Sequence, residues 1–150
     1  MHKLRDIRTA KNYIQTVLLL DDQEVSLMIH RALINRINPR IKVVSFKEPI
    51  EALEWLGSKR ADLIITDYLM EGMNGVQFIQ AARLTKFGQD IPFVVVTARN
   101  DQKVHEQLKK AGAWRTFTKP PNLHELSETC RQMLDDSKNG FKKNRTIISS

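Results

Sequence analysis

The sequence predicts an α/β fold built on a doubly wound, five-stranded parallel sheet, and three observations predict it. Five short apolar runs, most of them rich in β-branched residues, alternate with five segments of helical periodicity. The runs are continuously apolar, as strands buried on both faces are. The helical segments run to about a dozen residues, a length that lets consecutive strands lie parallel through right-handed crossovers.

The strands are expected, in order, at "VLLL" (17–20), "IKVVSF" (41–46), "DLIIT" (62–66), "IPFVVVT" (91–97) and "WRTFT" (114–118). A helix follows each, over about 23–37, 48–58, 75–86, 101–111 and 122–135. In the first, "QEVSLMIHRALI" carries apolar residues at helical spacing, and Asp22 just before it is a competent N-cap. Pro49 suits the first turn of the second helix, where its missing N–H costs nothing. Asn122 and Glu125 open the fifth in capping-box fashion, and Leu123, Leu126, Cys130, Met133 and Leu134 share one stripe of it.

At 150 residues and 41% hydrophobic content the chain suits one domain with a real core. No apolar run approaches the ~20 residues that span a bilayer. The opening "MHKLRDIRTAKNY" lacks the apolar core of a signal peptide, so a cytoplasmic protein is expected. The single cysteine, Cys130, has no partner for an internal disulfide and reads as a small core hydrophobe.

The net charge of +7 is unevenly placed: residues 1–16 carry +3, residues 135–150 carry +2, and only +2 remains between them. The chain therefore divides into a basic N-terminal arm (1–16), a central domain (17–135) and a basic C-terminal tail (136–150). Solvated arms explain this excess better than a nucleic-acid surface. Trp55 and Trp114 have no basic cluster interleaved with them and read as packing residues. His30, His105 and His124 fall on expected helices without a metal-ligand spacing and read as surface histidines; His2 lies in the arm.

Ligands of doubly wound sheets bind outside the carboxyl ends of the strands. There the sequence places Asp21 and Asp22 after the first strand, Asp67 after the third, Thr97 at the end of the fourth and Lys119 after the fifth. Two adjacent acids repel each other unless a cation or donors compensate. Mg2+ takes oxygen ligands, commonly one or two carboxylates with water and a phosphate, and would relieve that repulsion. Asp22 and Asp67 can hold such an ion while Asp21 supports its water shell. A phosphoryl group arriving between the ion and Lys119, with a hydrogen bond from the Thr97 hydroxyl, would be neutralised from two sides and open to attack by Asp67.

These residues carry a resemblance. The acid pair "DD" after the first strand, "DYLMEGMNG" around Asp67, "TA" at Thr97 and Ala98, and "KP" at Lys119 and Pro120 occur in the order found in the receiver domain of bacterial two-component response regulators, over roughly Val17 to Leu134. The resemblance implies a flavodoxin-like receiver fold, similar to chemotaxis regulators, with strand order 2-1-3-4-5. It implies that Asp67 accepts the phosphoryl group and that Asp22 and the Leu69 carbonyl bind Mg2+ directly, with Asp21 acting through water. Thr97 and Lys119 would contact the phosphoryl group, aided by a cis bond before Pro120. The implied donors are a histidine kinase or a histidine phosphotransfer protein. Output would run through a partner, an effector domain outside this sequence, or a homodimer formed by the fourth helix, fifth strand and fifth helix.

Two positions depart from the family pattern. Glu71 stands where proline is frequent, and Thr116 stands where an aromatic switch residue is usual, with Phe117 on the opposite face. Two other readings compete. A haloacid-dehalogenase-like phosphatase also uses an Asp nucleophile and Mg2+, but wants a second Asp two residues on, where this chain has Gln23 after Asp21 and Leu69 after Asp67. An interaction module binding nucleic acid through its arms would show salt-sensitive binding. After the fifth helix only "DSKNGFKKNRTIISS" remains, too short for an effector domain, so the expectation is a single-domain regulator or a receiver excised from a longer protein.

Overall fold

The structure is a computed structural model that describes residues 12–139. Strands β1 (Thr16–Leu20), β2 (Lys42–Phe46), β3 (Leu63–Thr66), β4 (Phe93–Thr97) and β5 (Ala113–Thr118) alternate with helices α1 (Glu24–Ile37), α2 (Pro49–Leu56), α3 (Gly75–Arg83), α4 (Gln102–Ala111) and α5 (Leu123–Asn139). All four strand pairings are parallel, in the order β2-β1-β3-β4-β5. The order reverses direction between β1 and β3, which sets the ends of these two strands side by side at the carboxyl edge.

Strand parity sorts the core into two layers. Leu18, Leu20, Ile64, Phe93 and Val95 pack with Ala52 and Leu56 of α2, Phe78 and Ile79 of α3, and Val104 and Leu108 of α4. Val17, Leu19, Ile65, Val94 and Phe117 pack with Leu27 and Ile34 of α1 and with Leu126, Cys130 and Met133 of α5. Cys130 is the small core hydrophobe expected, and burial pushes its thiol up to about 12. Thr116 and Phe117 face opposite sides of β5, and only Phe117 joins the core.

Two glycines permit the chain to fit here. Gly112 ends α4 at φ 108, a left-handed conformation that other residues resist, and its N–H reaches the carbonyls of Leu108 and Lys109. At Gly75 an added Cβ would lie 2.9 Å from the Tyr68 Cα, so the missing side chain lets α3 start against the segment that carries Asp67.

Several expectations are corrected. Residues 13–16 are part of the packed domain, not of an arm. Thr16 opens β1, the Tyr13 hydroxyl donates to both Asp62 carboxylate oxygens (3.0 and 2.8 Å), and Gln15 Nε2 donates to the Leu134 carbonyl (2.7 Å). At the other end α5 runs to Asn139, past 135, and the buried Ser137 hydroxyl donates to Asp62 Oδ1 at 3.0 Å. The remainder of the two basic segments lies outside the described residues.

Helix α3 stops at Arg83, short of 86, because the following turn folds back: Arg83 Nη1 donates to the carbonyls of Gly88 and Ile91 beside a 3-10 helix over Gly88–Asp90. Trp55 packs as expected, its ring 6.4 Å from that of Phe46, whereas Trp114 is 48% exposed on the edge strand. His30 is buried in the inner face of α1 with Leu27, Leu33 and Ile34, not on the surface. His105 is half-buried, its Nε2 3.1 Å from the Arg99 carbonyl, and His124 is exposed. Among the described residues no helix is long and apolar enough to cross a membrane.

Candidate functional site

The carboxyl edge of the sheet gathers the acids. β1 ends in Leu20 and delivers Asp21 and Asp22; β3 ends in Thr66 and delivers Asp67, whose N–H donates to the Leu20 carbonyl at 3.0 Å and so ties the two strand ends together. One carboxylate oxygen from each of Asp21, Asp22 and Asp67 lies within 4.8 Å of the others. Asp21 and Asp67 are buried and Asp22 is exposed, so the cluster opens to solvent on the Asp22 side.

Lys119 closes the cluster from β5. Its N–H donates to the Thr97 carbonyl at 2.8 Å, carrying the β4–β5 ladder one residue past the strand, and its bond to Pro120 is cis, as the resemblance implied. The ammonium then donates to Asp21 Oδ2 at 2.9 Å, Asp67 Oδ2 at 3.0 Å and Gln23 Oε1 at 3.1 Å. The remaining carboxylate oxygens are held by backbone: Asp21 Oδ1 accepts from Gln23 N–H at 2.9 Å, and Asp67 Oδ1 accepts from Tyr68 N–H at 2.6 Å and Leu69 N–H at 3.3 Å. Both side chains are thereby fixed in orientation.

The electrostatics follow from burial. Desolvation pushes the Asp21 carboxyl above its ordinary value, against the hydrogen bonds from Lys119 and Gln23 that pull it down. Burial also disfavours the Lys119 charge, but the bonds to Asp21 and Asp67 outweigh it and hold the ammonium above its ordinary value. His30 is within electrostatic reach of this group. Burial first, then the Lys119 charge, lowers its imidazole to about 4, so it is neutral at pH 7.

Thr97 is fully buried at the end of β4, and its hydroxyl oxygen accepts from Arg99 N–H at 3.2 Å. Direct bonds therefore join Asp21, Asp67 and Lys119; Asp22 joins by carboxylate proximity, and Thr97 stands on the adjoining strand end. The Leu69 side chain is exposed on the rim, and Glu71 is exposed in the loop that follows, where Gly72 takes a positive φ of 86. Asn74 and Gln77 then form a reciprocal capping box that starts α3.

Sequence reasoning missed Gln23 as a Lys119 partner. Its only sequence signal is its place directly after the acid pair. Asp22 does not cap α1: the N-cap is Gln23, with no side-chain cap bond. Asn122 does cap α5, accepting from Glu125 N–H at 2.9 Å, while the Glu125 carboxylate lies 3.7 Å from Arg115 instead of completing the box.

The donor set suits a hard divalent cation, since all three side chains offer carboxylate oxygens and one side of the cluster is open to water.

Comparison with known proteins agrees with this geometry. The sequence model described as the response regulator receiver domain matches residues 17–131. The cyclic di-GMP phosphodiesterase response regulator RpfG of Xanthomonas campestris pv. campestris is 32% identical over 118 residues, which cover 79% of this chain and 31% of that protein. Sporulation initiation phosphotransferase F of Bacillus subtilis is 24% identical over 122 residues, covering 80% of this chain and 94% of that one. The chain spans only 20% to 31% of the length of four curated relatives it matches. The receiver domain of sensor histidine kinase PA1611 from Pseudomonas aeruginosa PAO1, solved with a magnesium ion coordinated in its active-site cleft, aligns at a TM-score of 0.72 and 22% identity over 82% of this chain and 99% of that one. At that identity the likeness shows the fold. With its strand order, its acid and lysine cluster and a match over residues 17–131 in agreement, the chain belongs to the response regulator receiver domain family of two-component systems.

Proposed function

We propose that this receiver is switched by phosphorylation of Asp67, with a histidine kinase or histidine phosphotransfer protein of the cytoplasm as donor and Mg2+ as its resident cation. The observation that carries the reading is the Lys119 ammonium held between Asp21 and Asp67 at the open carboxyl edge. An Asp67 carboxylate oxygen attacks phosphorus, the new P–O bond forms as the bond to the donor breaks, and the electron pair leaves on the donor atom. That atom is an imidazole nitrogen of the kinase, which then takes up a proton, or an acetate oxygen when the donor is acetyl phosphate.

Each residue has a part in this. The N–H groups of Tyr68 and Leu69 hold the nucleophile in one orientation. Lys119 and the Thr97 hydroxyl meet the phosphoryl oxygens. Asp22, Asp67 and the Leu69 carbonyl would hold Mg2+, with Asp21 acting through its water shell, and the ion would supply further neutralisation of phosphoryl charge. Water later removes the phosphoryl group, so the output is a state of the protein, read by a partner, by an effector domain or by a second copy at α4, β5 and α5.

Intact mass after incubation with acetyl phosphate and Mg2+ tests the reading. One added phosphoryl group is expected on the wild-type chain and none on Asp67→Asn. Unchanged wild-type mass under saturating donor and metal would overturn the assignment, and steady turnover of a generic phosphomonoester would favour the phosphatase reading instead.

A further inference from the structure

We propose that Gln23 is a positioning residue for Lys119, a neutral third anchor that keeps the ammonium aimed at the reacting carboxylate; the proposal rests on the reading of Asp67 given above. An ammonium has three N–H donors. Here all three are placed, on Asp21 Oδ2, Asp67 Oδ2 and Gln23 Oε1, the last at 3.1 Å. Gln23 is well built for this. Its backbone N–H holds Asp21 Oδ1 at 2.9 Å while Lys119 takes the other oxygen of the same carboxylate. Its side chain makes no cap bond to α1, and Ser26 Oγ donates to the same Oε1 at 3.4 Å, which orients the carboxamide.

Chemistry explains why the anchor is an amide. Asp21, Asp22 and Asp67 already crowd the edge with negative charge. A fourth carboxylate would accept the same hydrogen bond but repel the anionic phosphodonor, whereas a carbonyl adds an acceptor without a charge. Phosphorylation turns the Asp67 carboxylate into an acyl phosphate, so that anchor changes during the reaction; Asp21 and Gln23 do not. Lysine carries its charge on a flexible four-carbon stem, and a single fixed anchor leaves that stem free to swing. Two fixed anchors hold the ammonium where the phosphoryl oxygens arrive.

The test compares Gln23→Met, similar in length but without an acceptor, in the Lys119 and Lys119→Met backgrounds. The rate constant for phosphorylation by acetyl phosphate with Mg2+, followed by intact mass, is expected to fall roughly fivefold with Lys119 present, the change that loss of one ordinary hydrogen bond gives. It should hardly change when Lys119 is absent, because a helix-start or steric effect would persist in both backgrounds. Hydrogen exchange of the Lys119 ammonium with water, followed by 15N NMR without any phosphodonor, should quicken in Gln23→Met. An equal loss in both backgrounds, or an unchanged ammonium exchange rate, would overturn the proposal. A wild-type chain that gains no phosphoryl group would instead count against Asp67 as acceptor, and the ammonium exchange alone then decides the role of Gln23.

Discussion

Replacing Lys119 with Met should destabilise the metal-free domain by about 3 kcal/mol at pH 7, since removing one partner of a buried ion pair costs roughly 3–5 kcal/mol. Met keeps most of the apolar stem and removes the ammonium. The Lys119 side chain is 16% exposed and its partners Asp21 and Asp67 are 3% and 8% exposed, so two carboxylates lose a cation that water replaces poorly. At an effective dielectric of 20 each contact is worth roughly 5 kcal/mol of Coulomb energy, much of it offset by desolvation. The lower end of the range applies because the edge opens to solvent at the exposed Asp22. In thermal terms the loss is roughly 10 °C.

Equilibrium unfolding in urea, followed by circular dichroism with chelator present, measures it. The midpoint should fall with the slope unchanged, and Mg2+ should narrow the gap to wild type by supplying the missing positive charge. The sign of the pH dependence is set by the raised Lys119 value: its stabilisation is fully present below the unfolded lysine value and is lost as pH rises through the folded one, so the gap closes only in the alkaline limb. A variant as stable as wild type in chelator at pH 7 would refute the claim that this ammonium balances the acids.

Other outcomes follow from the same geometry. Asp21 has a raised folded value, so its ionisation opposes folding above that value and the opposition fades as pH falls; Asp21→Asn should therefore exceed wild type in urea midpoint at pH 7 without metal, and the excess should shrink in acid. Asp22→Ala should weaken Mg2+ binding in a calorimetric titration more than Asp21→Ala, because Asp21 is already bonded to Lys119 and Gln23 while Asp22 is exposed. Thr97→Ala should impair phosphorylation-dependent dimerisation or partner binding, measured by analytical ultracentrifugation or affinity, more than Thr116→Ala. Thr97 is buried at the strand end next to Lys119, whereas Thr116 has too little volume to serve as a moving switch. A coupling of about 1–3 kcal/mol is at stake between site and surface.

Most of the fold was legible because it rests on local pattern. Runs such as "VLLL" and "FVVVT" sit in the middle of the sheet, buried on both faces, and their apolarity needs no tertiary knowledge to read. Asp21, Asp67 and Lys119 were legible because strand ends in a doubly wound sheet converge whatever fills the core. Packing decided what was missed. Leu27, His30 and Ile34 share the α1 spacing of a buried face, but a histidine there reads as polar until its neighbours are known. Trp114 reads as a packing residue in the sequence because no basic cluster interleaves with it, yet β5 is an edge strand and leaves the ring half open. Tyr13, Asp62 and Ser137 stand far apart in the chain, so no local pattern announces that the Asp62 carboxylate gathers the other two.

That carboxylate has a consequence for how the domain can be spliced. Tyr13 and Ser137 both reach Asp62, which directly precedes β3 and so sits at the pole opposite the acid cluster, and residues 13 and 137 therefore lie within the span of a few side chains of each other there. A circular permutant of residues 12–139 that joins residue 139 to residue 12 with a short glycine and serine bridge and opens a distant loop should fold with its carboxyl edge intact. Cargo fused next to residue 12 or residue 139 of such a trimmed domain should hang from that pole, away from the acid cluster.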